Sequence, residues 1–109
     1  MTKVIIEPGI CGFTAEVTVT ADEDDEQELT VKVKSGCRSV MAMMAETGDT
    51  LDAYEYCLAK PGCSPFYKYA AEHFPAHSSC PVIAGITKCM EAEAGLALRK
   101  EASIKFIEE

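Results

Sequence analysis

Two short segments in which apolar and polar residues alternate constrain the fold of this chain most strongly. The apolar members are Ala15, Val17, Val19 and Ala21 in the first segment and Leu29, Val31 and Val33 in the second. Because side chains along a strand point alternately to opposite faces, this period of two predicts two strands that each bury one face. The acidic run over 22–26 then forms the turn of an antiparallel hairpin. This run lacks the glycine and the ligand spacing of an EF-hand, so it is interpreted as a solvated turn and not as a cation-binding loop.

The rest of the chain predicts further elements around this hairpin. Lys3–Ile6 form a short strand before it, and the alternating tail over 102–109 returns as a last strand. Helices are predicted from Cys37 to Gly48, from about Thr50 to Pro61 with Leu51, Tyr54 and Leu58 on one face, from about Ser64 to Phe74, and from Cys80 to about Gly95 with Pro81 at the first helical position. The predicted fold class is α+β: an antiparallel three- to four-stranded sheet packed against a cluster of helices. A chain of 109 residues is expected to form a single domain over 1–109.

The charge and the apolar runs exclude several classes of function. The net charge of −8 argues against binding to nucleic acid or to an anionic membrane surface, because both repel an acidic protein. No apolar run approaches the about 20 residues that a membrane-spanning helix needs, and the first residues lack the apolar stretch of a signal peptide. The protein is therefore expected to be cytoplasmic, where its six cysteines stay reduced and do not form a disulfide framework.

The cysteines separate into two groups by their predicted positions. Cys57 and Cys89 lie on apolar helix faces and are expected in the core, as are the methionines at helical spacing (Met41, Met43 and Met44). The other four lie in loops or at helix starts: Cys11, Cys37, Cys63 and Cys80. The positive end of a helix stabilises a thiolate, which is the form that binds metal. Four such thiols can form a tetrahedral zinc or iron–sulfur site if the fold brings them together.

Two other interpretations remain open at this point. An adaptor protein with a structural zinc site would use Cys57, Cys63, His73 and His77. Pro75 interrupts the helix that would present both histidines of that site. A thiol redox enzyme would instead use Cys37 or Cys80 as the nucleophile with a histidine as base, but no motif fixes that geometry.

The segments around three of the cysteines resemble the IscU/NifU-type iron–sulfur cluster scaffold family over residues 11–97. The segment GICGFTAEVTV is similar to that family's first Cys-Gly segment and strand, and VKVKSGCRSVMAM to its strand-end Gly-Cys and the helix that follows. Two later segments of the family are similar to GDTLDAYEY and HSSCPVIAGITKCMEAE. The separations between Cys11, Cys37 and Cys80 also agree with the family. The ending of the chain is similar to that of small proteins from anaerobic organisms.

This resemblance implies a metal centre built from cysteines. Cys11, Cys37 and Cys80 would converge at one end of the molecule and bind zinc or an iron–sulfur cluster, with Cys63, His77 or an exogenous group as the fourth ligand. The family has an aspartate two residues after its first cysteine that makes a bound cluster labile, and Phe13 stands at that position here. This difference favours a tightly held ion or cluster.

The same resemblance implies a scaffold or carrier and not an enzyme. Such a protein would be a monomer or homodimer and would work with protein partners of iron–sulfur assembly, without nucleic acid or a membrane. The family's histidine before the third cysteine is replaced by Ser79. The segment HFPAHSS lacks most of the residues that an Hsp70-type chaperone reads in the family. Specific docking of such a chaperone is therefore not expected.

Overall fold

A four-stranded antiparallel sheet forms the framework of the fold. The structure is a computed structural model that describes residues 1–108. The strands are β1 (Thr2–Ile6), β2 (Ala15–Ala21), β3 (Glu28–Ser35) and β4 (Thr50–Asp52). They lie side by side in chain order, and each pairs antiparallel with the next. The helices are α1 (Arg38–Thr47), α2 (Ala53–Cys57), α3 (Pro65–His73) and α4 (Val82–Glu93). The predicted α+β fold class is confirmed.

The central hairpin forms with the faces that the alternation predicts. Val17 of β2 lies opposite Val33 of β3, and Val19 lies opposite Val31. All four side chains are buried, while the acidic run over 22–26 is exposed. The period of two therefore defines both the strands and the face that they turn toward the core.

Two helices cover this face of the sheet. The first, α4, packs against β1 and β2, and the second, α1, packs against β3. Ile86, Cys89 and Met90 of α4 are fully buried. The thiol of Cys89 donates a hydrogen bond to the carbonyl oxygen of Thr2 at 3.3 Å, so its predicted place in the core is confirmed. Within residues 1–108, no helix is long and apolar enough to cross a membrane.

The boundaries of α1 agree with the sequence pattern. Cys37 is the N-cap residue, and Gly48 ends the helix with a φ of 78°. A left-handed φ of this kind is accessible to glycine without steric cost, which explains why the helix stops there. Met43 and Met44 are buried as expected, whereas Met41 is partly exposed and lies outside the core.

The segment after α1 departs from the prediction. The helix expected from Thr50 begins instead as strand β4, in which Leu51 lies opposite Leu29 of β3. Helix α2 starts only after Asp52, whose carboxylate accepts a hydrogen bond from the backbone N–H of Tyr54 at 3.1 Å. The backbone groups at the edge of β3 pair with this short segment, which therefore forms a strand. Tyr54 is consequently half exposed, not packed on a long helix face.

Two further boundaries differ from the prediction. Pro81 is the N-cap of α4 rather than its first helical residue, so Cys80 lies one position before the cap. The tail predicted as a strand over 102–109 is neither strand nor helix over 102–108, and Glu109 lies outside the described residues. An alternating sequence becomes a strand only when another strand pairs with it, and β1 to β4 leave the tail unpaired.

One carboxylate joins the end of α4 to the first residues of the chain. Glu93 accepts hydrogen bonds from the Thr2 hydroxyl at 2.8 Å and from the backbone N–H of Ala21 at 2.9 Å. It also forms ion pairs with the α-amino group of Met1 at 3.2 Å and with Arg99 at 3.9 Å. Burial raises the pKa of Glu93, but these donors together with the amino group outweigh burial and lower it.

Candidate metal centre

Elements that carry two of the predicted ligands meet at one end of the sheet. Ile6, at the end of β1, lies opposite Ala15 at the start of β2, and Ala15 lies opposite Ser35 at the end of β3. The β1–β2 loop carries Cys11, and the β3–α1 junction carries Cys37. Both cysteines therefore lie at this end of the sheet, which we call the cysteine end.

Helix α4 brings a third cysteine to the same end. Gly85, in the first turn of α4, packs so closely on Ile6 that a Cβ atom placed on Gly85 would lie 2.5 Å from Ile6 Cδ1. The last turn of α4 lies at the opposite end of the sheet, where Glu93 contacts Thr2. Cys80 precedes the helix by two positions, so it lies at the cysteine end, where it is half-buried against the core.

A serine links the loop of Cys11 to the start of α1. The Ser35 hydroxyl accepts a hydrogen bond from the backbone N–H of Cys37 at 3.1 Å and donates one to the carbonyl oxygen of Phe13 at 3.5 Å. The Phe13 ring covers Gly36, where a Cβ atom would lie 3.0 Å from Phe13 Cδ1. The Phe13 ring therefore lies against the residue that precedes Cys37.

The junction at Cys37 is held by backbone structure on both sides. Cys37 follows β3 directly, and its carbonyl oxygen accepts a hydrogen bond from Met41 N–H at 3.1 Å in the first turn of α1. The Cys37 side chain is half-buried against the core. Arg38, the first helical residue, is exposed and adds a positive charge next to it. The backbone position of Cys37 is therefore fixed by a strand on one side and a helix on the other.

The loop of Cys11 is exposed and has a different character. Its two glycines, Gly9 and Gly12, have φ angles of 103° and 71°, and Gly12 N–H donates a hydrogen bond to the Gly9 carbonyl at 3.0 Å. In the part of the chain that the structure describes, no group of three or more His, Cys, Asp and Glu side chains is arranged to hold a metal ion. The donor types fit zinc or an iron–sulfur cluster, but the structure does not gather them into such a group. The three-cysteine site stays a prediction.

One candidate fourth ligand, His77, lies near Cys80. His77 and Cys80 line one groove together with Phe74 and Gly62, and the backbone N–H of Cys80 donates a hydrogen bond to the His77 carbonyl at 3.4 Å. Cys63 follows Gly62 directly and is exposed. The His77 side chain is also exposed, so both candidate ligands are accessible to solvent.

The surroundings of Cys57 fit poorly with the alternative zinc site at residues 57, 63, 73 and 77. Burial raises the pKa of the Cys57 thiol to about 12, and the nearby carboxylates of Glu91 and Asp52 raise it as well. A thiol of this kind remains protonated at neutral pH, which disfavours metal binding. The ring of His73 packs on Tyr69 with centroids 4.4 Å apart.

Sequence reasoning missed the contributions of Ser35 and Gly36. The hydroxyl of Ser35 joins the loop to the helix start, and the lack of a side chain on Gly36 makes room for the Phe13 ring. The available signal was the sequence Ser-Gly directly before a helix-starting cysteine. It could suggest a cap, but the contact with Phe13 depends on the strand register.

Comparison with known proteins gives one family. No curated protein and no solved structure matches the chain. The model of one family, described as "Family of unknown function (DUF6951)", matches residues 2–106. This match covers all strands and helices and most of the tail. The chain therefore belongs to the DUF6951 family.

Proposed function

We propose that this protein binds a metal ion or an iron–sulfur cluster through Cys11, Cys37 and Cys80, as a scaffold or carrier resembling the IscU/NifU family. The observation that supports the proposal is that the ends of β1 and β3 and the first turn of α4, which adjoin these cysteines in the chain, lie at the same end of the sheet. Three separate elements contribute them: a loop, a strand–helix junction and a helix start.

The chemistry of these donors suits zinc and iron–sulfur clusters. Thiolate sulfur is the preferred ligand of both, and either accepts four ligands in a tetrahedral arrangement. With three protein sulfurs, the fourth position is left for His77, Cys63 or an exogenous ligand. An open fourth position is typical of a centre that receives or passes on its cargo, which distinguishes it from a closed structural site.

Binding is proposed to close the loop of Cys11. Cys37 and Cys80 are half-buried on the core, while Cys11 is exposed in a loop with two left-handed glycines. Movement of this loop toward the other two thiols completes the site and orders the loop. Part of the binding free energy then offsets the lost freedom of the loop, since ordering a residue costs about 1–2 kcal/mol.

Phe13 is proposed to slow the release of a bound ion or cluster. Its ring lies against Gly36 next to Cys37 and places an apolar surface where the IscU/NifU family has an aspartate. Water and competing ligands have less access to a site that is covered by such a ring. A carrier or storage role is favoured by this feature over rapid cluster transfer.

The setting of this function follows from the charge and the family resemblance. We expect a cytoplasmic protein with partners from iron–sulfur assembly, and no role in binding nucleic acid or membranes. The acidic surface, with a net charge of −8, would suit partners with basic docking surfaces.

The test is anaerobic purification and reconstitution with iron and sulfide or with zinc, followed by elemental analysis and absorption spectroscopy. A brown protein with charge-transfer bands indicates a cluster, and a colourless protein with stoichiometric zinc indicates a zinc site. We expect Cys37→Ser and Cys80→Ser to lower the affinity by more than the about 10–100-fold typical of an outer-shell residue. Helix content measured by circular dichroism should stay unchanged in both variants.

The matched control is Cys57→Ser, which removes a half-buried thiol outside the cysteine end. This variant should keep the metal. Hydrogen exchange provides a second readout, because metal should slow exchange at residues 9–14 in the wild type and not in Cys37→Ser. Wild-type protein that binds neither zinc nor a cluster under these conditions would overturn the proposal. Retention of metal by Cys37→Ser combined with its loss from Cys57→Ser would overturn the assignment of ligands.

A further inference from the structure

The tail after α4 carries large apolar side chains that are exposed to solvent. Ile104, Phe106 and Ile107 are 90%, 100% and 88% exposed, and residues 101–108 form neither strand nor helix. Three fully exposed large apolar side chains in eight residues exceed what scattered surface positions explain. The family match continues through residue 106, so this tail belongs to the shared sequence of the family.

The tail begins beside the first strand. Arg99 donates hydrogen bonds to the carbonyl oxygen of Met1 at 3.2 Å and to the hydroxyl of Thr2 at 2.9 Å. These contacts fix the start of the tail at the end of β1 that lies away from the cysteines. Beyond Arg99 the tail leaves the body of the protein.

Strand β1 is an edge of the sheet. It pairs with β2 on one side, and no strand among residues 1–108 lies on its other side. Ile5, which points away from the helices, is 63% exposed. An edge strand with unpaired backbone groups and an exposed isoleucine is a template for the addition of another strand.

The alternation of the tail matches the faces of β1. Ala102, Ile104 and Phe106 share one face of an extended chain. In β1, residues 2, 4 and 6 point toward the helices and are buried or half-buried. Paired with β1, the apolar face of the tail would extend the covered side of the sheet, and Ile107 would lie on the same side as Ile5.

We propose that residues 102–108 of one copy add as a fifth strand to β1 of a second copy, and that the exchange is reciprocal in a symmetric homodimer. A tail that starts at Thr2 and follows its own β1 must run parallel to it, in a sheet that is otherwise antiparallel. The β1 strand of a second copy can be met antiparallel, which is the more stable pairing. Exchange of identical segments between copies also closes the assembly at two chains.

The test is sedimentation equilibrium over a range of concentrations, with hydrogen exchange on the same samples. We expect a wild-type dimer in which the amides of residues 103–107 and of β1 are protected. Phe106→Asp should raise the dissociation constant of the dimer about 100-fold or more, because one large apolar side chain is no longer buried at each of the two junctions. The matched control is Leu58→Asp, which changes another exposed apolar residue and should leave the dimer intact.

Each alternative outcome would overturn the proposal. A monomer at all concentrations excludes strand exchange, and protection of the tail in that monomer would indicate pairing with its own chain. A dimer that persists in Phe106→Asp with unchanged affinity would place the interface elsewhere. A dimer that depends on Phe106 but leaves β1 unprotected would mean that the tail binds another surface. Because the Phe106 side chain is fully exposed in the monomer, Phe106→Asp should fold normally, and circular dichroism verifies this.

Discussion

Replacing Glu93 by glutamine should destabilise the protein, because it removes the charge that joins the end of α4 to the first residues of the chain. The carboxylate accepts hydrogen bonds from the Thr2 hydroxyl and Ala21 N–H and pairs with the α-amino group of Met1. Its side chain is only 10% exposed, so water cannot replace these partners. A hydrogen bond to a charged group contributes about 1.5–3 kcal/mol. Glutamine keeps one acceptor oxygen but presents an N–H₂ group to the other donor, so we expect a loss of about 1–3 kcal/mol.

The effect should depend on pH in a defined direction. The pKa of Glu93 is lowered in the folded protein, whereas an unfolded glutamate has a pKa of about 4.3. The stabilisation by the charged form is therefore complete above the unfolded pKa and is lost as the pH falls through the lower pKa of the folded state. The difference in unfolding free energy between wild type and Glu93→Gln should be constant from about pH 6 to 7, where both the carboxylate and the α-amino group are charged, and shrink below about pH 4.

Urea unfolding at several pH values measures this difference directly. Glu91→Gln removes the same charge from the same helix and serves as the control, for which we expect a change within about 0.5 kcal/mol. In a thermal scan at pH 7, Glu93→Gln should melt about 4–12 °C below the wild type. Equal stability of the wild type and Glu93→Gln at pH 7, or a difference that grows toward low pH, would refute this account of the carboxylate.

Two further predictions concern a buried thiol and a close helix–strand contact. Burial raises the pKa of Cys57 to about 12, so at pH 8 iodoacetamide should modify it at least about 10-fold more slowly than an ordinary thiol, even though a less acidic thiolate is more nucleophilic. Peptide mass spectrometry with exposed Cys63 as the reference measures this, and comparable rates would contradict it. Gly85→Val should lower the unfolding free energy by about 1–3 kcal/mol, because the valine side chain would overlap Ile6. Urea titration should show a much smaller loss for the control Ala84→Val, at an exposed position of the same helix. Equal losses in the two variants would contradict the contact.

The hairpin and α1 could be predicted because local sequence determines them. The alternation around Val17 and Val31 defines a strand face without reference to the rest of the chain, and Gly48 ends a helix for conformational reasons of its own. The segment of β4 could not be predicted in this way. Leu51 has helical spacing with later apolar residues, but the edge of β3 at Leu29 decides its conformation. Pairing between distant segments overrides local preference when the segment is short.

The same distinction between local sequence and long-range contacts applies to the candidate metal centre. The place of Cys37 between a strand and a helix follows from the residues around it and is confirmed. The approach of Cys80 to the same end depends on the packing of Gly85 against Ile6, a contact between residues far apart in the chain. Binding of a metal ion or cluster stays a prediction, because the described residues contain no group of three or more His, Cys, Asp and Glu side chains arranged to hold a metal ion.

The reactivity of the buried Cys89 thiol can be used to measure large-scale opening of the protein. Its sulfur lies between α4 and the sheet and donates a hydrogen bond to the Thr2 carbonyl oxygen. The exposure of Cys89 is 0%. A thiol reagent can reach it only after α4 separates from β1 and β2. The rate at which Cys89 reacts therefore reports the free energy of that opening, just as amide exchange does for backbone groups. Oxidation of this sulfur would likewise occur only in molecules in which α4 has separated from the sheet. The rate of this chemical damage therefore depends on the conformational stability of the protein.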